Sequence, residues 1–383
     1  MDIRQTRRVA SGRRRRGQWL RRGLVASVVL LGAAFVVAYV RSGNLCDQGP
    51  FVAGPTPMMA VVHCDYGGPE VLRIARVPRP SPGAGEVLVQ VRAASVNPLD
   101  WHYMRGVPRV MRLASGLRKP ADIRVGVDFA GVVAATGSGV TRVAVGDAVF
   151  GLRRGALAEF VVVPADGLLQ PKPASVSFEA AAAAPLAAIT AWQGLRDHGQ
   201  VRPGQRVLIN GASGGVGTYA VQLGKVLGAE VTGVCSTRNL AMVRALGADR
   251  VIDYTTTDVT RLPDRYDVIF DTVGNHALGA MRSLLTPQGR YIGIGGGSPH
   301  TQRWLGPLPR VAAMALRSLV GASSMTTFVA DATPADLASL QQALAAGTLR
   351  SQIDRTVPLA QAVDAIRYLE AGRARGKVVV VMP

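Results

Sequence analysis

The spacing of apolar positions divides the chain into regions of different period. In Glu86–Arg92 the valines recur at every second position, the signature of a strand with one buried face. Ala60–His63 reads as another short strand, and Gly/Pro clusters at Pro78–Gly85 and Gly137–Gly139 mark turns. Short strands broken by turns predict a small β-rich barrel or sandwich reaching to about residue 180. Beyond it the period lengthens. Ala180–Leu195 is Ala-rich and helical. Strand-like runs at Val207–Ile209, Glu230–Val234, Val251–Asp253, Val268–Phe270 and Arg290–Ile294 then alternate with helix-length segments. Such alternation predicts βαβ units and a parallel sheet. Two further helices, Pro334–Ala346 and Ala360–Ala371, precede a last strand, Lys377–Met382. No repeat of solenoid length is present.

The N-terminus has a third character. Leu24–Val40 is seventeen residues without a charge, a helix of roughly 25 Å at the short end of a membrane crossing. Nine arginines precede it and Arg41 alone follows closely. The positive-inside rule puts the N-terminus in the cytoplasm and the body across the membrane. Three readings stand side by side: a single membrane anchor, a secretory or twin-arginine signal around Arg21-Arg22, and a chain that begins at Met58 or Met59 and is cytoplasmic. Residues 41–57 are rich in turn formers and read as a linker. The 300–327 segment, with Arg303, Arg310 and an apolar Val311–Val320 stretch, is expected to pack as an amphipathic element, cover a substrate cleft or touch the membrane.

Composition narrows the classes. The chain has 383 residues, 48% hydrophobic and 18% charged, enough for two domains with sizeable cores. Net charge is +19, with +8 in residues 1–57, yet aromatics are 5% and no basic run outside the N-terminus interleaves with them. Nucleic acid is not an expected partner. The three cysteines, Cys46, Cys64 and Cys235, lie far apart and predict neither a disulfide framework nor a structural zinc site.

The strongest chemical signal is Val207–Gly217, a buried strand running into a glycine turn and a helix. The motif reads Ala212-x-Gly214-x-x-Gly217, with Gly211 just before it. Missing side chains let backbone approach a pyrophosphate, and free helix N–H groups stabilise its charge. No Lys-Ser or Lys-Thr follows, so a Walker A loop is excluded. Past the loop, the next strand ends Val234-Cys235-Ser236-Thr237-Arg238 without the carboxylate that binds ribose hydroxyls in NAD enzymes. A hydroxyl and a guanidinium suit a 2′-phosphate, so NADPH is the expected cofactor. Lys225, two turns into the loop helix, is a further candidate for that phosphate.

With these motifs placed, the chain resembles the medium-chain dehydrogenase/reductase superfamily, in its zinc-independent quinone oxidoreductase and reticulon-4-interacting-protein-like branch. The marks are Tyr66–Leu72, Ala93–Asp100, Gly126–Gly131, Val145–Gly151, the glycine loop, Leu246–Asp249 and Arg375–Val379. The resemblance implies an α/β fold: a GroES-like β-rich catalytic domain (58–180, completed by 328–383) with an inserted Rossmann doubly wound parallel sheet (181–327), here preceded by the N-terminal hydrophobic helix. It also implies NADPH contacts at Ser213, Gly214, Gly215, Val216, Ser236 and Tyr254, alongside Gly217 and Arg238 read from the loop and the strand end themselves. A homodimer follows by the same analogy. Metal-dependent relatives carry Cys where this chain has Asn97, and Gly-His-Glu where it has Gly126-Val127-Asp128. Asn and Val do not replace thiolate and imidazole at zinc, so no metal is expected.

Without a Lewis acid, hydride transfer to a quinone or electron-poor C=C is easier than oxidation of an ordinary alcohol. The implied activity is NADPH-dependent reduction of a quinone or α,β-unsaturated carbonyl. Asn97, His102, Tyr103 and Thr190 are the candidate polar groups beside the reacting atoms. Asp100 and Asp128 are expected to fix backbone or interdomain hydrogen bonds. A membrane-associated NADPH-binding scaffold or redox sensor with little turnover is the alternative.

Overall fold

A computed structural model of the chain describes Ser27, 32–33, 36–40, 42–48, 56–294, Gly306, 308–318 and 323–383. Pro57–His63 (β1) and Leu72–Pro78 (β2) form an antiparallel ribbon. The eleven-residue strand Glu86–Val96 (β3) leads into the helix Pro98–Arg105 (α1). Asp128–Thr136 (β4), Ala148–Leu152 (β5), Phe160–Pro164 (β6) and Leu169–Pro171 (β7) follow. Register shifts between Leu88 and Val89 and between Val91 and Ala93 bend β3, so it pairs β4 along its length and β6 at its N-terminal half. Bulges of this kind let one strand serve two neighbours as a sheet curls. Val87, Val89 and Val91, the alternating valines, are buried with Phe129, Leu157 and Leu169 inside the curled sheet.

Pro185–Trp192 (α2) then carries the chain to the parallel sheet. Arg206–Asn210 (β8), the helix Gly215–Val226 (α3), Glu230–Cys235 (β9), Arg250–Asp253 (β10), Tyr266–Asp271 (β11), Leu285–Gly293 (β12) and Ser324–Thr327 (β13) follow in turn. The spatial order is β10-β9-β8-β11-β12-β13, every pair parallel. The order reverses direction between β8 and β11, the switch point of a doubly wound sheet, and the crevice at its strand ends is where such folds take ligands. The chain finally returns to the first domain. Ile353–Pro358 (β14) and Lys377–Val381 (β15) join the β3 sheet, with β15 antiparallel to the C-terminal half of β3.

The N-terminal expectations fare differently. Ser27, 32–33 and 36–40 are helical, and the remainder of Leu24–Val40 lies outside the described residues. No helix among the described residues is long and apolar enough to cross a membrane. Residues 42–48 are not a free linker. Leu45–Gln48 is a 3-10 turn, Asn44 Nδ2 donates to the Cys64 carbonyl at 2.7 Å, and Cys46 and Cys64 form a disulfide with Cα atoms 5.7 Å apart. This corrects the expectation from cysteine spacing. An arm folding back onto the strand that follows it leaves no trace in a separation of 18 residues. In the 300–327 segment, Leu308–Ser318 is a helix that buries Met314 and packs Val311 and Ala313 on the parallel sheet's core. Residues 295–305 and 319–322 lie outside the described residues.

Candidate active site

β8 ends at Asn210 and the chain turns at Gly211, whose φ of +85° is open to glycine. Gly211 therefore makes the turn usually made by the first glycine of the fingerprint, and Ala212 at that position is buried. Both amides, Gly211 N–H and Ala212 N–H, donate to the Val234 carbonyl on β9. At Gly217 a Cβ would lie 2.0 Å from the Gly211 carbonyl oxygen, so only glycine lets α3 start this close to the turn. Gly214 caps α3 without a side-chain partner. The first amides of a twelve-residue helix thus point into the crevice, an arrangement that suits a phosphate.

Ser213 and Ser236 are joined through a residue the sequence did not single out. Asn239 Nδ2 donates to Ser213 Oγ at 3.0 Å and to Ser236 Oγ at 3.1 Å. The link sets the loop against the end of β9, where the ribose of a dinucleotide is read. Arg238 is exposed there and donates to the Arg373 carbonyl at 2.7 Å. Tyr254 is exposed just past β10. Asp253 before it is turned onto the hydroxyls of Thr237 and Thr255, which hold its carboxyl below the usual range. Lys225 is placed elsewhere. Near the C-terminal end of α3, its ammonium pairs with Asp249 at 2.7 Å and donates to the Ala229 carbonyl. Ten residues of helix, roughly 15 Å, separate it from the loop.

On the opposite side stands Asn97, which precedes α1 and is 2% exposed. Its backbone N–H donates to Asp100 and its Nδ2 donates to Asp128 at 2.9 Å. Its Oδ1 accepts from Lys377 Nζ at 2.5 Å. Asp128, fully buried at the start of β4, collects four donors: Ser95 Oγ at 2.8 Å, Asn97, Lys377 at 3.4 Å, and the Leu186 amide of α2 at 3.0 Å. The last contact ties the helix bearing Thr190 to the Asn97 motif. Thr190 Oγ1 itself donates to the Leu186 carbonyl at 2.6 Å. Asp100 accepts a second amide, from Gly126, and burial pushes its carboxyl up to about 7.

Lys377 is a candidate site residue that no sequence motif marks as such. It is 3% exposed, and burial draws its ammonium below the usual range while Asp128 and Asp100 act the other way. Its preceding residue joins the two domains: Gly376 N–H donates to the Ser213 carbonyl at 2.8 Å, and Gly376 bridges Gly214. The side-chain methylenes lie beside Gly215, 3.1 Å from where its Cβ would be. One signal was available. In a chain whose cations are almost all arginine, a lysine heads a run of four valines.

His102 and Tyr103 sit apart from this network. His102 Nδ1 contacts the Val107 carbonyl at 2.8 Å, and burial holds the imidazole below its ordinary pKa. Tyr103 lies under the Arg154 guanidinium, 4.0 Å from the ring centre, and lines a small cavity with His63, Asp100, Arg124 and Val125. No group of His, Cys, Asp and Glu among the described residues is arranged to hold a metal.

This architecture has known counterparts. Residues 83–174 match the alcohol dehydrogenase GroES-like domain, and residues 246–380 match the family described as zinc-binding dehydrogenase. The chain is 33% identical over 343 residues to the 2-methylene-furan-3-one reductase of Solanum lycopersicum, covering 85% of this chain and 79% of that protein. It is 32% identical to the mitochondrial NAD(P)H oxidoreductase RTN4IP1 of Mus musculus, covering 94% and 99%. Among solved structures, the Escherichia coli quinone oxidoreductase complexed with NADPH superposes with a TM-score of 0.72 at 26% identity, covering 84% and 99%. The chain belongs to the medium-chain dehydrogenase/reductase superfamily.

Proposed function

We propose that this protein is an NADPH-dependent oxidoreductase that reduces a quinone or an α,β-unsaturated carbonyl without a catalytic metal. The observation that carries the reading is the meeting of the glycine loop and the Asn97–Asp128–Lys377 network across one interdomain seam. The loop residues Ser213 to Gly217 fit a pyrophosphate, because the cradle is backbone and glycine at 217 lets α3 start directly against the Gly211 turn. Ser236 and Arg238 fit a ribose 2′-phosphate: Cys235–Arg238 carries no carboxylate of its own, and the neighbouring Asp253 is engaged by the hydroxyls of Thr237 and Thr255. Relatives named for NADPH or NAD(P)H chemistry support the same cofactor.

The position where zinc relatives carry a thiolate holds the Asn97 amide, and a lysine ammonium is hydrogen-bonded to it. A metal cation there would meet the repulsion of that ammonium. When bound, the dihydronicotinamide supplies the hydride. The chain's own work is to orient and to stabilise. Lys377 fixes the Asn97 amide, so that its Nδ2 faces Asp128 and its Oδ1 faces the ammonium. The ammonium is buried and paired with Asp128, so its part is to hold the Asn97 amide in place at the seam. Thr190 is held on α2 by the same Asp128 that holds Asn97. Solvent entering the cleft supplies the proton.

We read Leu24–Val40 as a single membrane anchor, supported by its uncharged seventeen residues, the arginines ahead of it and the exposed apolar side chains of Val36, Val37 and Val40. A homodimer is the expected assembly. The test is a titration of the full chain in detergent by NADPH fluorescence, followed by steady-state NADPH oxidation with quinone and enone panels and metal analysis. Turnover that survives chelators at substoichiometric metal supports the reading. Tight NADPH binding with no turnover on any acceptor leaves the scaffold alternative in its place.

A further inference from the structure

The arm at residues 42–48 has features that hydride chemistry does not need. It is fastened to the GroES-like domain at three places: the Cys46–Cys64 disulfide, the Lys119–Asp47 ion pair, and Ser42, whose Oγ accepts from the Arg118 amide at 3.0 Å. Ser42 N–H donates to the carbonyl of Tyr39, one helical turn before the arm. The chain leaving the apolar segment is thus pinned beside residues 109–119. In that stretch Lys119 is paired with Asp47 and Asp65 and Arg112 is held on Tyr66, while Arg109 and Arg118 are exposed beside exposed Val110 and Leu113, the latter at 68%. Cations interleaved with exposed apolar side chains, next to an apolar segment, match the headgroup region of an anionic bilayer.

The disulfide adds the side. Such bonds persist where thiols are oxidised and are rare in reducing cytosol. The arginine asymmetry around Leu24–Val40 places the body on that same far side. These two signals are independent, one being a charge count and the other a cross-link between Cys46 and Cys64.

We propose that residues 109–119, with the arm clamped to them, form a bilayer-facing surface, and that the domain stands on the oxidising face of the membrane. The proposal rests on the anchor reading above, and it requires reduced nicotinamide coenzyme on that face. It gives Cys46 and its neighbours a role as part of the folded protein.

Two measurements on the full chain test it. Cells are acid-quenched, and the denatured protein is treated with PEG-maleimide before and after reduction. One adduct before reduction, from the free thiol Cys235, and three after it are expected. The Cys46→Ser variant should show two in both. Three adducts on the unreduced wild type overturn the proposal. The chain is then reconstituted in phosphatidylcholine vesicles with and without phosphatidylglycerol. Tryptic cleavage at Arg109 and Arg118 should slow at least threefold in the anionic vesicles, with no change at Arg261, which is exposed in the parallel-sheet domain. Equal rates at all three sites overturn it. Release of the chain by alkaline carbonate removes the anchor reading itself, and NADPH fluorescence reports on the coenzyme reading independently of both.

Discussion

Replacing Lys377 by Met is the most informative single perturbation, because it removes one charge from a buried pair and leaves its partner in place. Lys377 is 3% exposed and Asp128 fully buried, 3.4 Å apart. Removing one partner of such a pair typically costs about 3–5 kcal/mol. Asp128 keeps three other donors, from Ser95, Asn97 and Leu186, each worth roughly 1.5 kcal/mol or more to a charged acceptor. The low end, about 3 kcal/mol, is therefore expected for Lys377→Met. Asp128→Asn should cost about as much, since it leaves the ammonium facing only the Asn97 carbonyl and Asp100. The double variant removes both charges, so it should be milder than the two singles added, by about 2 kcal/mol or more. Urea unfolding at pH 7, followed by circular dichroism and tryptophan fluorescence, gives all three values. A double variant whose loss equals the sum of the singles, within about 0.5 kcal/mol, would refute the coupling. A Lys377→Met loss below about 1 kcal/mol would refute the buried pair itself.

Asp100 gives a pH prediction. Its folded pKa of about 7 lies above the unfolded 3.8, so its favourable contribution is complete below pH 4 and is lost as pH rises through 7. Three units correspond to about 4 kcal/mol, so the difference in stability between wild type and Asp100→Asn should shift in the variant's favour by a few kcal/mol from pH 4 to pH 8, measured by urea unfolding. A pH-independent difference would count against it. Ser236→Ala with Arg238→Ala should weaken NADPH about tenfold while NADH changes less than twofold, by calorimetric titration; equal losses would remove the 2′-phosphate assignment. Lys225→Ala should leave NADPH affinity within twofold, because its ammonium is engaged by Asp249; a tenfold loss would restore it to the phosphate site. Gly217→Ala, by driving a Cβ into the Gly211 carbonyl, should abolish detectable NADPH binding in the same titration, and retained affinity would disprove the close approach.

Much of the fold was legible because it is written in short-range pattern. The alternation in Glu86–Arg92 became β3, and the strand–glycine–helix run became β8, the loop and α3. Asn97, Ser213 and Ser236 stand out as candidates for the same reason, each lying in a local motif. Lys377 does not, since its partners are 280 and 249 residues away and only the return of β15 beside β3 brings them together. Asn239 escaped notice because its role is to join two motifs without belonging to either. Lys225 misled for a converse reason: position along a helix reports the face, and the competing carboxylate, Asp249, sits beyond the next strand. The Cys46–Cys64 bond was invisible because its spacing matches no metal or redox motif.

Where these distant segments meet explains how the site is kept in register. Asp128 touches the Asn97 motif, β15 through Lys377 and α2 through Leu186, while Gly376 fastens β15 to the glycine loop. A coenzyme that settles on the loop therefore presses against the strand that holds the lysine. The lysine orients the Asn97 amide, and the carboxylate between them positions Thr190's helix. In zinc relatives a metal draws its ligands to one point by coordination. In this chain a single buried carboxylate gathers Ser95, Asn97, Leu186 and Lys377 by hydrogen bonds, and the lysine keeps its charge from standing alone. A neutral isostere at Asp128 should accordingly loosen loop and helix together, which makes increased hydrogen exchange at both Ser213–Gly217 and Leu186–Thr190 in Asp128→Asn the direct check on that coupling. Exchange that rises at one segment and not the other would mean the two sides of the cleft are held separately.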